Sequence, residues 1–473
     1  MNKSSKIFII GAGDAAQKLL KVLRKTDSSY QIVGFVDDDK DKIGKQIAGI
    51  KILGPISDLP RLIKENQVQE LFIAIPSAQS QLIRKVVGIA QQENLKSKII
   101  PRTIDIIRGL VRFEQVRDIK PQDFLGRPVV KHDLTIASEK VKDKIVLITG
   151  AAGSIGSELA KQMAILKPKK LICFDWCENG IFELKFKLKQ YGFSEIKYII
   201  GNIQDKIKVD QVIAEQGPDV IFHAAAYKHV PLMEENIEEA VKNNVIGTEN
   251  LAETAIKYKV KDFILISSDK AINPSSVMGA TKRITEKLMY VCANKNSTRF
   301  TGVRFGNVLL SNGSVIPLFE EQIRKGGPIT ITDPEMVRYF MTIEEAVQLV
   351  IQSWTLGENG EIFVLDMGEP VKIKDLADYL IRAYGYIPGK NIEIKITGSR
   401  PGEKLFEEIV LDKEKVIKTK HPKIFVVKKE EEIKSNEFLE QLKQLKLSIF
   451  KSQIDTQEIL NKIKILVPNF RQL

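Results

Sequence analysis

The sequence predicts an α/β protein made of two doubly wound parallel sheets in tandem, the second extended by a small C-terminal lobe. Three observations predict it. A strand, glycine turn and helix pattern begins twice, at Lys6 and again at Lys144. Short apolar runs alternate with helix-length amphipathic stretches along both halves. After Gly306 this alternation breaks into short irregular pieces, as a smaller covering lobe would require.

The first start is the apolar strand Lys6-Ile7-Phe8-Ile9-Ile10, which runs into Gly11-Ala12-Gly13. A helical pattern through Leu19, Leu20 and Leu23 follows, then the strand Ile32-Val33-Gly34-Phe35-Val36, ending at Asp37. Further strands at 71–75 and 98–100 flank a helical stretch at 79–92, and the domain is expected to close near 102–115. Residues 1–125 therefore read as a Rossmann-like domain of CoA-binding or nucleotide-binding type. Its turn is degenerate: alanine takes the third glycine position and Asp14 sits where a phosphate would lie. A vestigial fold and a regulatory nucleotide site, with Asp37 on a ribose, both remain open.

A polar linker, 126–143, contains Gly126 and Pro128 and leads to the second start, Lys144-Ile145-Val146-Leu147-Ile148-Thr149. Strands are expected at 171–174, 197–200, 220–222, 263–267 and 301–304, which makes 144–425 a second Rossmann-like domain. Its substrate-binding lobe lies mainly in 306–425, with short pieces at 329–331 and 392–396. Residues 426–473 read as a basic helical tail without catalytic signature.

Gly150-Ala151-Ala152-Gly153-Ser154-Ile155-Gly156 places glycines where the chain must turn tightly and admit a pyrophosphate to the amides of a helix N-terminus. The next strand ends in Asp175, about 20 residues on, where a carboxylate accepts ribose hydroxyls and repels a 2′-phosphate. The expected cofactor is NAD. Its remaining contacts are expected from Asn202 and Ile203, from Ala224, Ala225 and Ala226, from the pair Asn243-Asn244, with Asn244 as the contact, and from Lys282. Asn202 carries an amide oxygen that accepts from an adenine amino group.

Composition narrows the partners. The chain has 473 residues, 43% hydrophobic and 28% charged, with a net charge of +12. The basic residues are scattered among acids, as in Lys428-Lys429-Glu430-Glu431-Glu432, so nucleic acid is not expected. No apolar run approaches the ~20 residues of a membrane span. Peripheral contact with an acidic membrane is compatible with the charge. The three cysteines offer neither a disulfide framework nor a zinc set, which fits a cytoplasmic protein with no metal. A homo-oligomer is expected.

Reductases of this type end the fifth strand in Ser or Thr and carry Tyr and Lys at i and i+4 on the following helix. Here Ser267-Ser268 closes the strand and Lys282 is present, but the tyrosine position is Met278, whose thioether takes no proton at neutral pH. Further motifs surround it: Ser268-Asp269-Lys270-Ala271, Met278-Gly279-Ala280-Thr281-Lys282-Arg283, the run from His223 through Tyr227-Lys228-His229 to Glu234, Arg304-Phe305-Gly306-Asn307-Val308, and Arg400-Pro401-Gly402-Glu403-Lys404. Together these resemble the CapD-type polysaccharide-biosynthesis proteins, UDP-N-acetylglucosamine 4,6-dehydratases of the extended short-chain dehydrogenase/reductase superfamily.

The resemblance covers roughly 120–425 and implies that methionine marks the branch that retains configuration at C5. It implies roles: Lys282 on the ribose and assisting oxidation at C4, Ser268 on the 4-hydroxyl, Asp269 as acid and Lys270 as base for elimination. For that, Lys270 must be neutral, its pKa lowered by Lys282 and the oxidised nicotinamide, and Asp269 must hold a proton. Lys228, His229, Asn307, Arg338 and Arg400 are the expected substrate contacts, the arginines because guanidinium matches phosphate oxygens. Two competing readings stay in view: an NAD-dependent nucleotide-sugar 4-epimerase, which needs no acid–base pair for elimination, and a catalytically inactive nucleotide-binding scaffold.

Overall fold

A computed structural model describes residues 4–26, 29–75, 80–93, 95–100, 117–118, 134–294, 297–410, 415–428, 433–451 and 453–472. The expected closure of the first domain at 102–115 and most of the connector, 119–133, lie outside the described residues. The chain divides into two compact units: 1–131 with 319–328 and 377–394, and 132–318 with 329–376 and 395–473.

In the first unit β1 (Ser5–Ile10), α1 (Asp14–Thr26), β2 (Tyr30–Val36), α2 (Leu59–Asn66), β3 (Glu70–Ile73), α3 (Ser80–Gln92), β4 (Lys96–Ile99) and β5 (Arg117–Asp118) follow one another. The sheet order is β2-β1-β3-β4-β5, parallel except at the β4/β5 edge. Alternate residues Ile7 and Ile9 of β1 meet Leu19, Leu20 and Leu23 of α1 in one apolar layer, the strand period of two facing the helical period of 3.6.

The second unit repeats and enlarges the plan. It opens on α4 (Thr135–Val141), whose Ala137 and Val141 are fully buried, so the end of the expected linker is packed structure. Next come β6 (Ile145–Thr149), α5 (Ser154–Leu166), β7 (Lys170–Asp175), α6 (Glu178–Lys189), β8 (Ile196–Ile200), α7 (Lys206–Gln216) and β9 (Val220–His223). The chain continues through α8 (Val230–Glu235), a π-helical turn at Val241–Ile246, α9 (Gly247–Lys257), β10 (Asp262–Ile266), α10 (Val277–Ala293) and β11 (Arg299–Arg304). The later part comprises β12 (Asn307–Val308), β13 (Val337–Arg338), β14 (Phe340–Met341), α11 (Ile343–Leu356), β15 (Ile362–Leu365), β16 (Val371–Lys372), β17 (Lys415–Lys418), β18 (Ile424–Lys428), α12 (Ser435–Ile449) and α13 (Thr456–Leu466).

Nine of these strands form one sheet in the order β8-β7-β6-β9-β10-β11-β15-β18-β17, parallel through β15 and antiparallel at its last two. The order reverses between β6 and β9, the switch point at which such sheets open a crevice at their carboxyl ends. Strand alternation builds two layers. Val146, Ile148, Ile264 and Ile266 face α4, α5, α6 and α11, whereas Leu147, Phe263 and Leu265 face α9, α10, α12 and α13. Short pairings, β12 with β14 and β13 with β16, carry Asn307 and Arg338 toward the carboxyl edge.

Candidate active site

The chain leaves β6 through Gly150, which has φ +70° and whose Cβ would lie 2.5 Å from the Ala225 amide nitrogen. A side chain is excluded there both by backbone conformation and by space. Gly153 is the N-cap of α5, and a Cβ on Gly156 would overlap the Gly150 carbonyl oxygen, so the first turn of α5 lies directly on the loop. Ser154 Oγ accepts from the Asn312 amide at 3.1 Å, and Ile155 packs on the core layer below. Free amides at this helix N-terminus suit a pyrophosphate.

Gly150, Gly153, Asp175, Asn202, Ile203, Ala224, Ala225 and Ala226 line one cleft. Asp175 ends β7 with its carboxylate oxygens accepting from Ala152 N and Cys177 N, each at 2.9 Å. Each oxygen keeps a second lone pair for a ribose. Asn202 Oδ1 accepts from Gln204 N at 2.9 Å and likewise keeps one. These residues fit a dinucleotide without a 2′-phosphate.

Asn244 requires a correction. Its side chain accepts from Tyr227 N at 2.8 Å and donates to Tyr227 O and to Thr281 Oγ1, each at 3.0 Å, and it is buried. It ties the 224–229 loop to α10; its neighbour Asn243 lines the cleft instead. The π-helical turn, in which one extra residue rotates the helix face, separates the two roles.

The segment after β10 holds the reactive groups. Ser268 is the N-cap of a short turn, its Oγ accepting from Lys270 N and donating to Asp269 Oδ1 at 2.8 Å. Asp269 is fully buried and, among the described residues, its Oδ2 has no hydrogen-bond partner. Burial, with Glu407 adding to it, pushes the Asp269 carboxyl up against the opposing pull of Lys270 and Ser268. That favours the proton an acid needs.

Lys270 departs from expectation. Its Nζ lies 3.1 Å from Asp269 Oδ1, 3.3 Å from Glu407 Oε1 and 3.4 Å from Asn307 Oδ1. Burial works against the ammonium, but the Asp269 and Glu407 carboxylates outweigh it and hold the group above its ordinary value. Lys270 rests charged. Lys282, expected to depress it, instead donates to Ile266 O at 2.7 Å, and burial drops Lys282 itself to about 8.

Met278 also requires correction as a site residue. It is 3% exposed and belongs to the apolar layer with Phe263, Leu265 and Val245. Below it lies a charged network that sequence reasoning did not single out. Glu286 receives Arg304 Nε at 2.7 Å, Arg283 Nη1 at 3.0 Å and Ser267 Oγ at 2.6 Å. Burial alone would raise Glu286, but Arg304 and Arg283 bring it down to about 2. His223 lies between Thr149 Oγ1 and Thr248 Oγ1, each at 2.8 Å, and burial lowers it to about 3, which makes it a neutral strut.

A second pocket is lined by Val230, Lys270, Ser275, Ser276, Asn307, Arg338, Gly402, Glu403, Lys404 and Glu407. Arg338, expected to take a diphosphate, lines this pocket and is also tied to the protein. Its guanidinium donates to the carbonyls of Val337 and Leu405 at 2.8 and 3.1 Å and to Glu403 at 3.4 Å, and lies 3.7 Å from Glu407. It anchors the 402–407 loop. Arg400 is exposed and does not line this pocket. Lys228 donates to Ser311 Oγ at 3.3 Å, and burial and Lys270 lower its pKa. The His229 ring stands against Gly313, where a Cβ would meet it at 2.5 Å. Glu407, three residues past the Arg400–Lys404 motif, was missed, and no local signal separates it from Glu408, which follows directly.

The sheet order, the glycine-turn cleft and the serine and lysine after β10 define a Rossmann-type domain of the extended short-chain dehydrogenase/reductase class. Residues 146–429 match the polysaccharide biosynthesis protein family, and residues 2–101 match a CoA-binding domain family. The capsular polysaccharide biosynthesis protein CapD of Staphylococcus aureus is 44% identical, over 85% of this chain and 68% of its own length. A protein named UDP-glucose 4-epimerase in Rickettsia canadensis is 36% identical over 57% of this chain and 78% of its own. The X-ray structure of Pen from Bacillus thuringiensis is similar with TM-score 0.57 and 36% identity, covering 62% of this chain and 90% of that one. The chain belongs to the polysaccharide biosynthesis protein family.

Proposed function

We propose that this protein is an NAD-dependent nucleotide-sugar 4,6-dehydratase that converts UDP-N-acetylglucosamine to UDP-2-acetamido-2,6-dideoxy-4-hexulose with retention at C5. The observation that carries the reading is a buried carboxyl, Asp269, 3.1 Å from the amine of Lys270, which lines the pocket with Asn307 and Glu407. Oxidation and reduction at C4 alone need no such pair. Loss of water across C5 and C6 needs a base for the C5 proton and an acid for the 6-hydroxyl.

NAD, when bound, supplies the hydride acceptor for C4 and the hydride donor for C6. Gly150, Gly153, Gly156 and Asp175 would hold it, and Lys282, fixed by Ile266 O, would bind its ribose. Ser268 Oγ hydrogen-bonds the 4-hydroxyl. Asp269 gives its proton to the departing 6-hydroxyl, and Lys270 takes the C5 proton once its own has moved to a neighbouring carboxylate. Met278 fills apolar space. The pocket beside Asn307, Lys228 and His229 receives the UDP-sugar.

The relative named UDP-glucose 4-epimerase favours a second reading, 4-epimerisation in the same domain. One experiment separates them: incubation with UDP-N-acetylglucosamine deuterated at C4, read by mass spectrometry and NMR. Loss of water with deuterium at C6 is expected. Isomerisation without mass loss would establish the epimerase, and unchanged substrate with NAD bound would leave an inactive scaffold. Lys270→Ala is expected to abolish elimination while NAD stays bound; normal turnover by that variant would remove Lys270 from the mechanism.

A further inference from the structure

Glu407 lies in the loop that follows the Arg400–Lys404 motif, far in sequence from the acid–base pair, yet its side chain is 5% exposed and its Oε1 is 3.3 Å from Lys270 Nζ. A buried carboxylate at that distance from an amine that must become neutral has a function to perform. We propose that Glu407 is the group that takes the Lys270 proton and so turns Lys270 into the base; this rests on the dehydratase reading above. Glu407 acts through Lys270 and is a positioning residue for its proton.

The geometry distinguishes the two carboxylates. Asp269 needs its own proton for the 6-hydroxyl, and its buried Oδ2 has no partner among the described residues. Glu407 faces Lys270 on one side and Arg338 Nε, at 3.7 Å, on the other, and these cations outweigh burial and hold it ionised. The groups facing it are Lys270 and Asp269 from the turn after β10, Arg338 from β13, and Glu403 and Lys404 from its own loop. The cluster therefore pairs a Lys270 ammonium with the Glu407 carboxylate, while burial favours the protonated form of Asp269.

The proton inventory then closes. Lys270 passes its proton to Glu407 and becomes a neutral amine. The amine takes the C5 proton, the C5–H electron pair forms the C5–C6 double bond, and the C6–O bond breaks as Asp269 protonates the leaving hydroxyl to water. When C6 is reduced, C5 needs a proton: Lys270, again an ammonium, returns the one it took and regains one from Glu407, and the proton released from the 4-hydroxyl on oxidation restores Asp269. The resting state then returns with no net proton exchanged with solvent.

The test uses the full chain with NAD, wild type against Glu407→Gln and Glu407→Asp, measuring kcat and KM across about pH 6 to 8. Wild-type kcat is expected to be flat, because the proton moves within the cluster. In Glu407→Gln it is expected to fall about tenfold or more at neutral pH and to climb about tenfold per pH unit, since Lys270 must now lose its proton to water. KM should move less than about threefold, and Glu407→Asp should recover part of the rate. A flat profile in Glu407→Gln, or kcat equal to wild type, would overturn the proposal. Competitive acetylation of Lys270 against pH gives a readout independent of turnover: the labelling midpoint is expected to drop in Glu407→Gln, and an unchanged midpoint overturns the assignment. Absence of dehydration by the wild type would defeat the functional reading alone, leaving the labelling result to judge Glu407.

Discussion

Met278 stands four residues before Lys282 on α10, at the position where a proton-carrying hydroxyl is expected, and it lies 3% exposed in the apolar layer. In the mechanism proposed above its neighbours supply the chemistry: Ser268 the hydroxyl, Asp269 the acid, Lys270 the base. Met278→Leu, which conserves volume, is expected to keep activity within about threefold of wild type. Met278→Tyr forces a larger ring and a polar hydroxyl into that layer and is expected to cost about 1–3 kcal/mol in denaturant unfolding. A wild type that dehydrates its substrate only after the tyrosine is introduced would mark the methionine as a lesion. The residue types of the site were readable in the sequence. The charge on Lys270 was not, because it depends on Glu407, more than a hundred residues away along the chain.

At the scale of elements, α10 is tied to the ends of β10 and β11 by the network around Glu286. Arg304 comes from β11, Arg283 and Glu286 from α10, and Ser267 follows β10, so one carboxylate fixes the strand end that carries Ser268 relative to the helix that carries Lys282. The Glu286 carboxyl is held at about 2, below its ordinary value of 4.5. Its folded-state pKa is depressed, so its stabilisation is present above the unfolded value and is lost as pH falls from 4.5 through 2. Glu286→Gln removes the carboxylate from two buried guanidinium groups and is expected to destabilise by about 3–5 kcal/mol near neutral pH. The difference from wild type should shrink as unfolding is measured at progressively lower pH. A variant as stable as wild type at pH 7 would mean that the network contributes no net stability.

For the whole molecule, the C-terminal segment is a structural member of the second unit. Phe438, Leu442 and Leu445 of α12 and Ile459 and Ile463 of α13 are buried in the same layer as Leu251 and Ala255 of α9 and Leu288 and Met289 of α10. The chain then returns to the site loop, with Arg471 N donating to Pro274 O at 3.0 Å and Asn469 to Asn273 at 3.2 Å. The reading of 426–473 as a basic helical tail without catalytic signature left its role open because its lysines, at helical spacing, resemble a solvated face. Deleting residues 435–473 is expected to uncover this layer and to yield aggregated or unfolded protein in expression and thermal-melt measurements. A soluble truncated chain with unchanged melting temperature would contradict that role. Because α12 and α13 cover α9 and α10, a homo-oligomer cannot use that layer as a bare helical face.

The sequence by itself determined the class of fold, both glycine turns, Asp175 at the strand end, and the Ser268, Asp269, Lys270 and Lys282 set. These are local signals: strand and helix periods, residues that must be glycine, and motifs whose members are neighbours in the chain. Only the tertiary structure decided that Asn244 ties a loop while Asn243 lines the cleft, that Arg338 holds the 402–407 loop from the wall of the pocket, that Glu407 meets Lys270, and that the last helices complete the core. Each of these depends on which distant groups share a low-dielectric space, and the charge state and partners of a buried group are set there by whatever the fold brings within a few ångströms.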